Sequence, residues 1–444
     1  MCQALSFQVR FQGSLLGLCS DLIWDQVDEV RLDQLFAVTA PGVAPYTAQE
    51  LRQLGMLPAA SAGRRAGQRT APRGGERDLQ GGVTFAGDRA ALYRANLHLR
   101  TANRILVRLG EFPAVGFAEL RKRAARLPWE RCLAPGQPVA LRVTCHKSRL
   151  YHSDAVAERV AGAIADRLGQ PSSICKYDEE ETGTPPQLVV VRLLHDHCTI
   201  SLDSSGELLH RRGYRLATAK APLRETLAAT MLLASGWASG SDGEADEHPA
   251  AFMDPFCGSG TIAIEAAQMA LGIASGLASG QARHFAFLTW PDFDAALWGQ
   301  LLEQAQDRHA RQFASQGGCL QIAASDRDAG AVELARANAV RGGVADQIEF
   351  SRQPVSAIVP CCESGWIVTN PPYGLRVSAG HDVRNLYAQF GHILRTSFSR
   401  WHFAVLCNDR QLLAQIGLPM DQSLSLVNGG LPVVLGRGRV ETPH

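Results

Sequence analysis

Asp254-Pro255-Phe256-Cys257-Gly258-Ser259-Gly260-Thr261 follows the apolar stretch Ala251 to Asp254 and opens a helical pattern that runs from Thr261 to Leu271. Gly258 and Gly260 let the backbone turn tightly and approach a ligand with no Cβ in the way. The helix that follows points its first N–H groups and the positive end of its dipole at the loop, so a ligand carrying a carboxylate fits there. A bare Gly-x-Gly would be a weak signal. The whole octapeptide, set between strand and helix, is far more specific than a plain strand-to-helix turn. All eight residues are candidate cofactor contacts.

Outward from this loop the chain alternates. Ala251 to Asp254, Leu320 to Ser325, Ile348 to Phe350, Trp366 to Asn370 and Phe403 to Cys407 read as strands. Thr261 to Leu271, Ala329 to Arg341 and Val383 to Phe398 read as helices between them. That order predicts an α/β fold with a mostly parallel sheet covered by helices on both faces, and ligands bound at the carboxyl ends of its strands.

Two further motifs fall at such ends. Asp326, in Ser325-Asp326-Arg327-Asp328, is placed to accept hydrogen bonds from ribose hydroxyls, and Asp328 is placed to cap the next helix. Asn370-Pro371-Pro372-Tyr373-Gly374 follows another apolar strand. A base amino group is a poor nucleophile because its lone pair is delocalised into the ring. The Asn370 side-chain carbonyl and the Pro371 backbone carbonyl can accept both of its N–H bonds and favour a pyramidal nitrogen. Proline offers a carbonyl without an N–H, and Pro371 and Pro372 together stiffen the loop. Tyr373 is a candidate platform for a base taken out of its helix. Asn370, Pro371, Pro372 and Tyr373 are the catalytic candidates, and Asn370 is a candidate cofactor contact as well.

Upstream, residues 1–34 carry no clear pattern and read as an extension. Leu35 to Thr39, Gly82 to Phe85 and Ile105 to Leu109 read as strands. Asp88 begins a helix to Leu99, and Thr47 opens a short helix to Leu54 with Glu50 at capping-box spacing. Pro58 to Gly75 is a Gly-, Ala-, Ser- and Arg-rich loop. A second small α/β unit follows. It has a strand from Val139 to Thr144, a helix capped by Ser153 with Val156, Val160, Ile164 and Leu168 on one stripe, and a hairpin of Leu188 to Leu194 with Thr199 to Asp203. A long helix from Pro222 to Ser235 and a polar connection, Gly236 to Pro249, lead into the alternating region.

With 444 residues the chain is long enough for two or three domains. It has no run of about 18 apolar residues and no signal-peptide order, so no membrane association and a cytoplasmic location are expected. Eleven cysteines without a CxxC pair read as reduced thiols. His195-Asp196-His197-Cys198 stands alone at a strand turn, so no metal is expected. The net charge is +1, but between Arg89 and Leu150 thirteen Lys or Arg face three Glu, balanced by acidic runs such as Asp178 to Glu181 and Asp242 to Glu247. A locally basic module beside a neutral one suits a polyanion backbone.

DPFCGSGT and NPPYG together resemble the RNA methylase family of THUMP-domain class I methyltransferases. The chain is most similar to its bacterial members that methylate guanine N2 in large-subunit (23S) ribosomal RNA. The resemblance spans Leu35 to Leu435. It takes in His146-Lys147-Ser148-Arg149-Leu150-Tyr151-His152, Leu202-Asp203-Ser204-Ser205-Gly206, Arg212-Gly213-Tyr214-Arg215, Ala221 to Ala229, Trp366 to Arg376 and Asn428-Gly429-Gly430. It implies a ferredoxin-like domain at 35–110, a THUMP RNA-binding domain at 111–204 (88–203 in the family's usual delimitation) and a Rossmann-like, seven-stranded methyltransferase domain at 205–444. It implies S-adenosyl-L-methionine as cofactor and structured RNA as partner, ribosomal RNA before tRNA. Arg121, Lys122, Arg123, Lys147 and Arg149 are candidates for RNA backbone contacts.

The sequence departs from the family in two places. Pro354 stands where relatives carry an acidic residue for the adenine amino group, which leaves the side-chain carbonyl of Gln353 as its substitute. Larger relatives carry a second methyltransferase domain after this one, and none is expected in a chain ending at His444. The rival readings are a tRNA guanine-N2 methyltransferase, a DNA adenine-N6 methyltransferase, for which the same Asn-Pro-Pro-Tyr chemistry serves, and a non-catalytic RNA-binding or ribosome-assembly factor. The basic N-terminal half is expected to bind RNA by itself.

Overall fold

In the computed structural model, residues 32–59, 81–177, 186–215, 223–237, 251–278, 280–315, 320–373 and 383–442 are described. Most of the expected N-terminal extension, the Gly- and Arg-rich loop from residue 60, the interdomain connection from residue 238, the acidic runs Asp178 to Glu181 and Asp242 to Glu247, and Gly374 lie outside them.

The N-terminal region contains β1 (Asp33–Val38), α1 (Ala44–Gln53), β2 (Gly82–Gly87), α2 (Arg89–His98) and β3 (Arg104–Pro113). Asp88 caps α2 as expected, accepting from the Ala91 N–H at 2.7 Å. The capping box at Thr47 is corrected. Helix α1 begins at Ala44 with a proline in its first turn, where no N–H is needed, so Thr47 and Glu50 lie inside the helix and are buried. Thr47 meets the Thr101 hydroxyl at 2.7 Å. The Glu50 carboxylate accepts the N–H groups of Arg100 and Thr101 at 2.8 and 3.0 Å, donors that the turn after α2 would otherwise leave unpaired.

Next come α3 (Phe117–Ala124), β4 (Val139–His146), α4 (Ser153–Leu168), β5 (Gln187–Leu194) and β6 (His197–Asp203). Ser153 is the first residue of α4 and not its cap; His152 holds the cap position, with no side-chain capping bond among the described residues. The helix is anchored by Val156, Val160 and Ile164, all fully buried, each contributing roughly 1.5–3 kcal/mol. The two expected α/β units share one sheet, in the order β2-β1-β3-β6-β5-β4. An antiparallel β3–β6 ladder joins them, with an irregularity between Arg108 and Gly110.

Then follow α5 (Glu225–Ser235), β7 (Phe252–Asp254), α6 (Thr261–Ala270), α7 (Ala295–Ser315), β8 (Ile322–Asp326), α8 (Ala329–Arg341), β9 (Ile348–Arg352), β10 (Trp366–Thr369), α9 (Val383–Ser397), β11 (His402–Cys407), α10 (Arg410–Gln415), β12 (Asp421–Asn428) and β13 (Leu431–Arg439). They build a seven-stranded sheet in the order β12-β13-β11-β10-β7-β8-β9. β7 to β11 run parallel, and β13 pairs antiparallel with both β11 and β12. Among the described residues no helix is long and apolar enough to cross a membrane.

The two sheets are interlocked. The segment between α6 and β8 returns to the N-terminal core, where Phe285, Phe287, Trp290, Trp298 and Leu301 are buried with Tyr93 and Leu97. The Tyr93 ring stacks on Phe287 at 4.5 Å, and Trp290 Nε1 donates to Gln187 at 2.8 Å. A chain cut near residue 205 would lose the aromatic side chains that close its N-terminal core, so that half does not pack independently of the rest. A buried charge cluster adds a second link. Glu265 on α6 accepts from Arg100 at 3.1 Å and from Arg212 at 3.2 Å, and Arg212 also donates to the Arg100 carbonyl at 2.6 Å.

Candidate active site

In the seven-stranded sheet β7 lies between β8 and β10. The chain leaves β7 toward β8 and β9, then crosses back to β10, so the loops after β7 and β10 part and leave a crevice at the carboxyl end of the sheet. The glycine-rich loop follows β7 and Asn370-Pro371-Pro372-Tyr373 follows β10. Asp326 ends β8 and Gln353 follows β9.

Asp254 is buried at the end of β7. One carboxylate oxygen, Oδ1, accepts from the Thr369 hydroxyl at 2.6 Å and from the Phe256 N–H at 3.2 Å. The other, Oδ2, has no partner among the described residues. Burial pushes its pKa up to about 7 against the pull of those two hydrogen bonds, and the nearby Asp326 charge adds to the rise. Pro255 and Cys257 are buried, and the Cys257 thiol is pushed well above its usual range by desolvation. Phe256 packs edge-on against Phe390 at 5.6 Å.

The loop then rises to α6. Gly258 and Gly260 have φ of +51° and +81°. At Gly260 a Cβ would lie 3.0 Å from that of Ala335, so both backbone conformation and close packing call for glycine. Ser259 is held through its carbonyl by Asn338 at 2.9 Å, and its hydroxyl lies 3.2 Å from that of Thr261.

Asp326 ties three strand ends together. Its carboxylate accepts the Gly258 N–H at 3.1 Å and the Asp328 N–H at 3.0 Å, and its carbonyl accepts the Gln353 N–H at 3.0 Å. Asp328 caps α8, accepting from Gly330 at 2.9 Å. Gln353 is half-buried. Pro354 opens a short 3-10 turn, Val355–Ala357, that buries Val355.

Asn370 is half-buried, and its side-chain carbonyl Oδ1 is buried without a partner among the described residues. Pro371 is buried and Pro372 exposed. Tyr373 differs from the expected open platform. It is only 4% exposed, and its hydroxyl accepts from Asn428 Nδ2 at 2.9 Å. Thr369 and Asn428 escaped the sequence reading. A hydroxyl before Asn-Pro-Pro and an Asn-Gly-Gly turn were visible, but not their long-range partners.

The basic candidates belong to the other sheet. On α3, Arg121 forms a two-pronged pair with Asp166 at 2.7 Å, Arg123 pairs with Glu119 at 2.8 Å, and Lys122 is exposed. Lys122 and Arg123 border an open groove with Phe112, Ala118, Glu119 and Arg126. Lys147 has φ +47°, and the Arg149 side chain is 74% exposed. Their loop is pinned to the β5–β6 turn, where the Asp196 carboxylate accepts the Arg149 N–H at 2.6 Å and the Asp196 N–H donates to Ser148 at 3.0 Å.

A seven-stranded sheet of this order, with a glycine-rich loop after β7 and Asn-Pro-Pro-Tyr after its neighbour β10, defines a class I methyltransferase. The family described as RMKL-like, methyltransferase domain, matches residues 212–435, the RlmL ferredoxin-like domain matches 77–106, and the THUMP domain matches 115–203. The chain belongs to this RMKL-like methyltransferase family.

Ribosomal RNA large subunit methyltransferase K/L of Syntrophotalea carbinolica is 34% identical over 408 residues, 90% of this chain and 52% of that protein, so the chain spans about half of that relative. A provisionally named RNA methyltransferase of Synechocystis sp., slr0064, is 33% identical over 407 residues, 90% of this chain and 95% of its own. Among solved structures, SMU.472, provisionally a methyltransferase and in complex with SAH, has a TM-score of 0.73 at 29% identity, covering 93% of this chain and 99% of that one. A predicted N6-adenine-specific DNA methylase from Listeria monocytogenes has a TM-score of 0.73 at 31% identity, covering 91% and 96%.

Proposed function

We propose that this chain transfers a methyl group from S-adenosylmethionine to the exocyclic N2 of a guanine in structured RNA, ribosomal RNA first. The carrying observation is the pair of acceptors at the ends of adjacent strands, Asp254 Oδ2 and Asn370 Oδ1, neither with a partner among the described residues. Buried acceptors of this kind are expected to meet a ligand.

The residues present fit the cofactor. The first N–H groups of α6 suit its carboxylate. The Asp254 carboxyl, whose ionisation burial opposes, suits a cationic group alongside. Asp326 suits the ribose hydroxyls and Gln353 the adenine amino group. When bound, S-adenosylmethionine supplies a methyl group on a cationic sulfur. The chain's own part is to hold the target amino group with the Asn370 and Pro371 carbonyls, so that nucleophile and methyl group meet in line, which is where most of the acceleration arises. The THUMP match, the basic segment from Arg89 to Leu150 and the names of the relatives favour RNA over DNA. We place the enzyme in the cytoplasm.

Labelled methyl transfer to total RNA and to genomic DNA tests the substrate class. Incorporation into RNA alone is expected, and incorporation into DNA alone would hand the site to the adenine-N6 reading.

Asp326→Ala should weaken S-adenosylmethionine binding by about ten- to a hundredfold, the usual size of a lost charge-assisted hydrogen bond. The Gly258 N–H would lose its partner as well. RNA affinity should stay as it was. Calorimetry with each ligand checks both, and an unchanged cofactor affinity would remove Asp326 from the ribose.

A further inference from the structure

We propose that Asn428 is a positioning residue for methyl transfer and acts through Tyr373. The inference rests on the reading of Asn370 to Tyr373 as the segment that holds the target base. That segment is clamped at both ends. At its start Thr369 sits in the β10–β11 ladder opposite Val405, and its hydroxyl donates to Asp254 at 2.6 Å. At its end the Tyr373 hydroxyl accepts from Asn428 Nδ2 at 2.9 Å, across 55 residues of sequence.

Both partners are buried, Tyr373 at 4% and Asn428 at 3% exposure, so the bond is shielded from competing water. Asn428 itself is fixed by its turn. It ends β12 opposite Leu431 on β13, and the two residues between them, Gly429 and Gly430, have φ of +57° and +83°. A tight turn with two positive φ values fixes the register of the hairpin, so the Asn428 amide arrives at one place. Between the two clamps Pro371 and Pro372 remove most backbone freedom, and a displacement of Tyr373 is passed on to the Asn370 and Pro371 carbonyls.

The test is a double-mutant cycle of Asn428→Ala and Tyr373→Phe on the full chain, with transfer to RNA measured alongside calorimetry for S-adenosylmethionine. Each single variant is expected to lower kcat about tenfold, because small misplacements at a reacting centre are costly, with KM for RNA and cofactor affinity nearly unchanged. The double variant should be no worse than either single one, since both remove the same bond. Three results overturn the proposal: Asn428→Ala with normal kcat, fully additive losses, or a parallel loss of cofactor affinity that marks general damage. Should Asn428→Ala not fold, Tyr373→Phe alone decides, because it keeps the ring and a normal kcat in it would show that the bond does not matter. A wild-type chain that methylates no nucleic acid would instead fail the underlying reading, a result distinct from all three.

Discussion

Asn370→Ala should lower methyl transfer by about a hundredfold or more, the usual consequence of removing one positioned polar group from a reacting centre. Its effect on folding should be small. The Asn370 carbonyl oxygen has no partner among the described residues, so alanine breaks no hydrogen bond there and removes a buried acceptor that the fold leaves unsatisfied. Cofactor affinity should remain within a few fold, because the groups proposed to hold S-adenosylmethionine stand on β7, β8 and β9 and their loops. Single-turnover transfer and calorimetry separate these effects. Near-normal turnover in the variant would mean that the target amino group is held elsewhere.

Glu265→Ala should be strongly destabilising. The carboxylate is fully buried and faces two guanidinium groups, those of Arg100 at 8% and Arg212 at 1% side-chain exposure. Removing it strands two positive charges in the interior, which commonly costs about 3–5 kcal/mol. The cluster joins α6, the turn after α2 and the segment leading to α5, so both sheets should loosen together. Chemical denaturation of wild type and variant checks this, followed through tryptophans of both cores such as Trp129 and Trp401. An unchanged midpoint would show that water or rearranged side chains compensate the charges.

The parts of the fold that were legible in sequence depend on neighbours in the chain. The glycine-rich loop announced the crevice, α8 has the expected bounds Ala329–Arg341, and Asp88 caps α2. Local rules failed where two answers share one spacing. Thr47 and Glu50 satisfy the capping-box pattern, yet the proline in the first turn starts the helix three residues earlier and buries both. The terminal hairpin went unseen as strands because Gly436 and Gly438 interrupt β13. A Cβ at Gly438 would lie 2.5 Å from the Pro419 carbonyl, so a packing constraint there outweighs strand propensity. Helix α7 shows a broad polar face, and its buried residues Trp298, Leu301 and Ala305 serve the core of the other sheet. No pattern within one segment reports that. The Glu265 cluster and the Asn428–Tyr373 bond join residues dozens to more than a hundred positions apart, beyond the reach of any spacing rule.

The central claim is the identity of the product, and nucleoside analysis tests it most directly. The purified chain is incubated with S-adenosylmethionine and ribosomal RNA from a strain lacking its gene, the RNA is digested, and methylated nucleosides are separated and weighed by mass spectrometry. N2-methylguanosine that appears with the wild-type chain and is absent with Asn370→Ala is the predicted result. Methylation confined to adenine N6, or no methylated nucleoside from a chain that binds the cofactor, would contradict it.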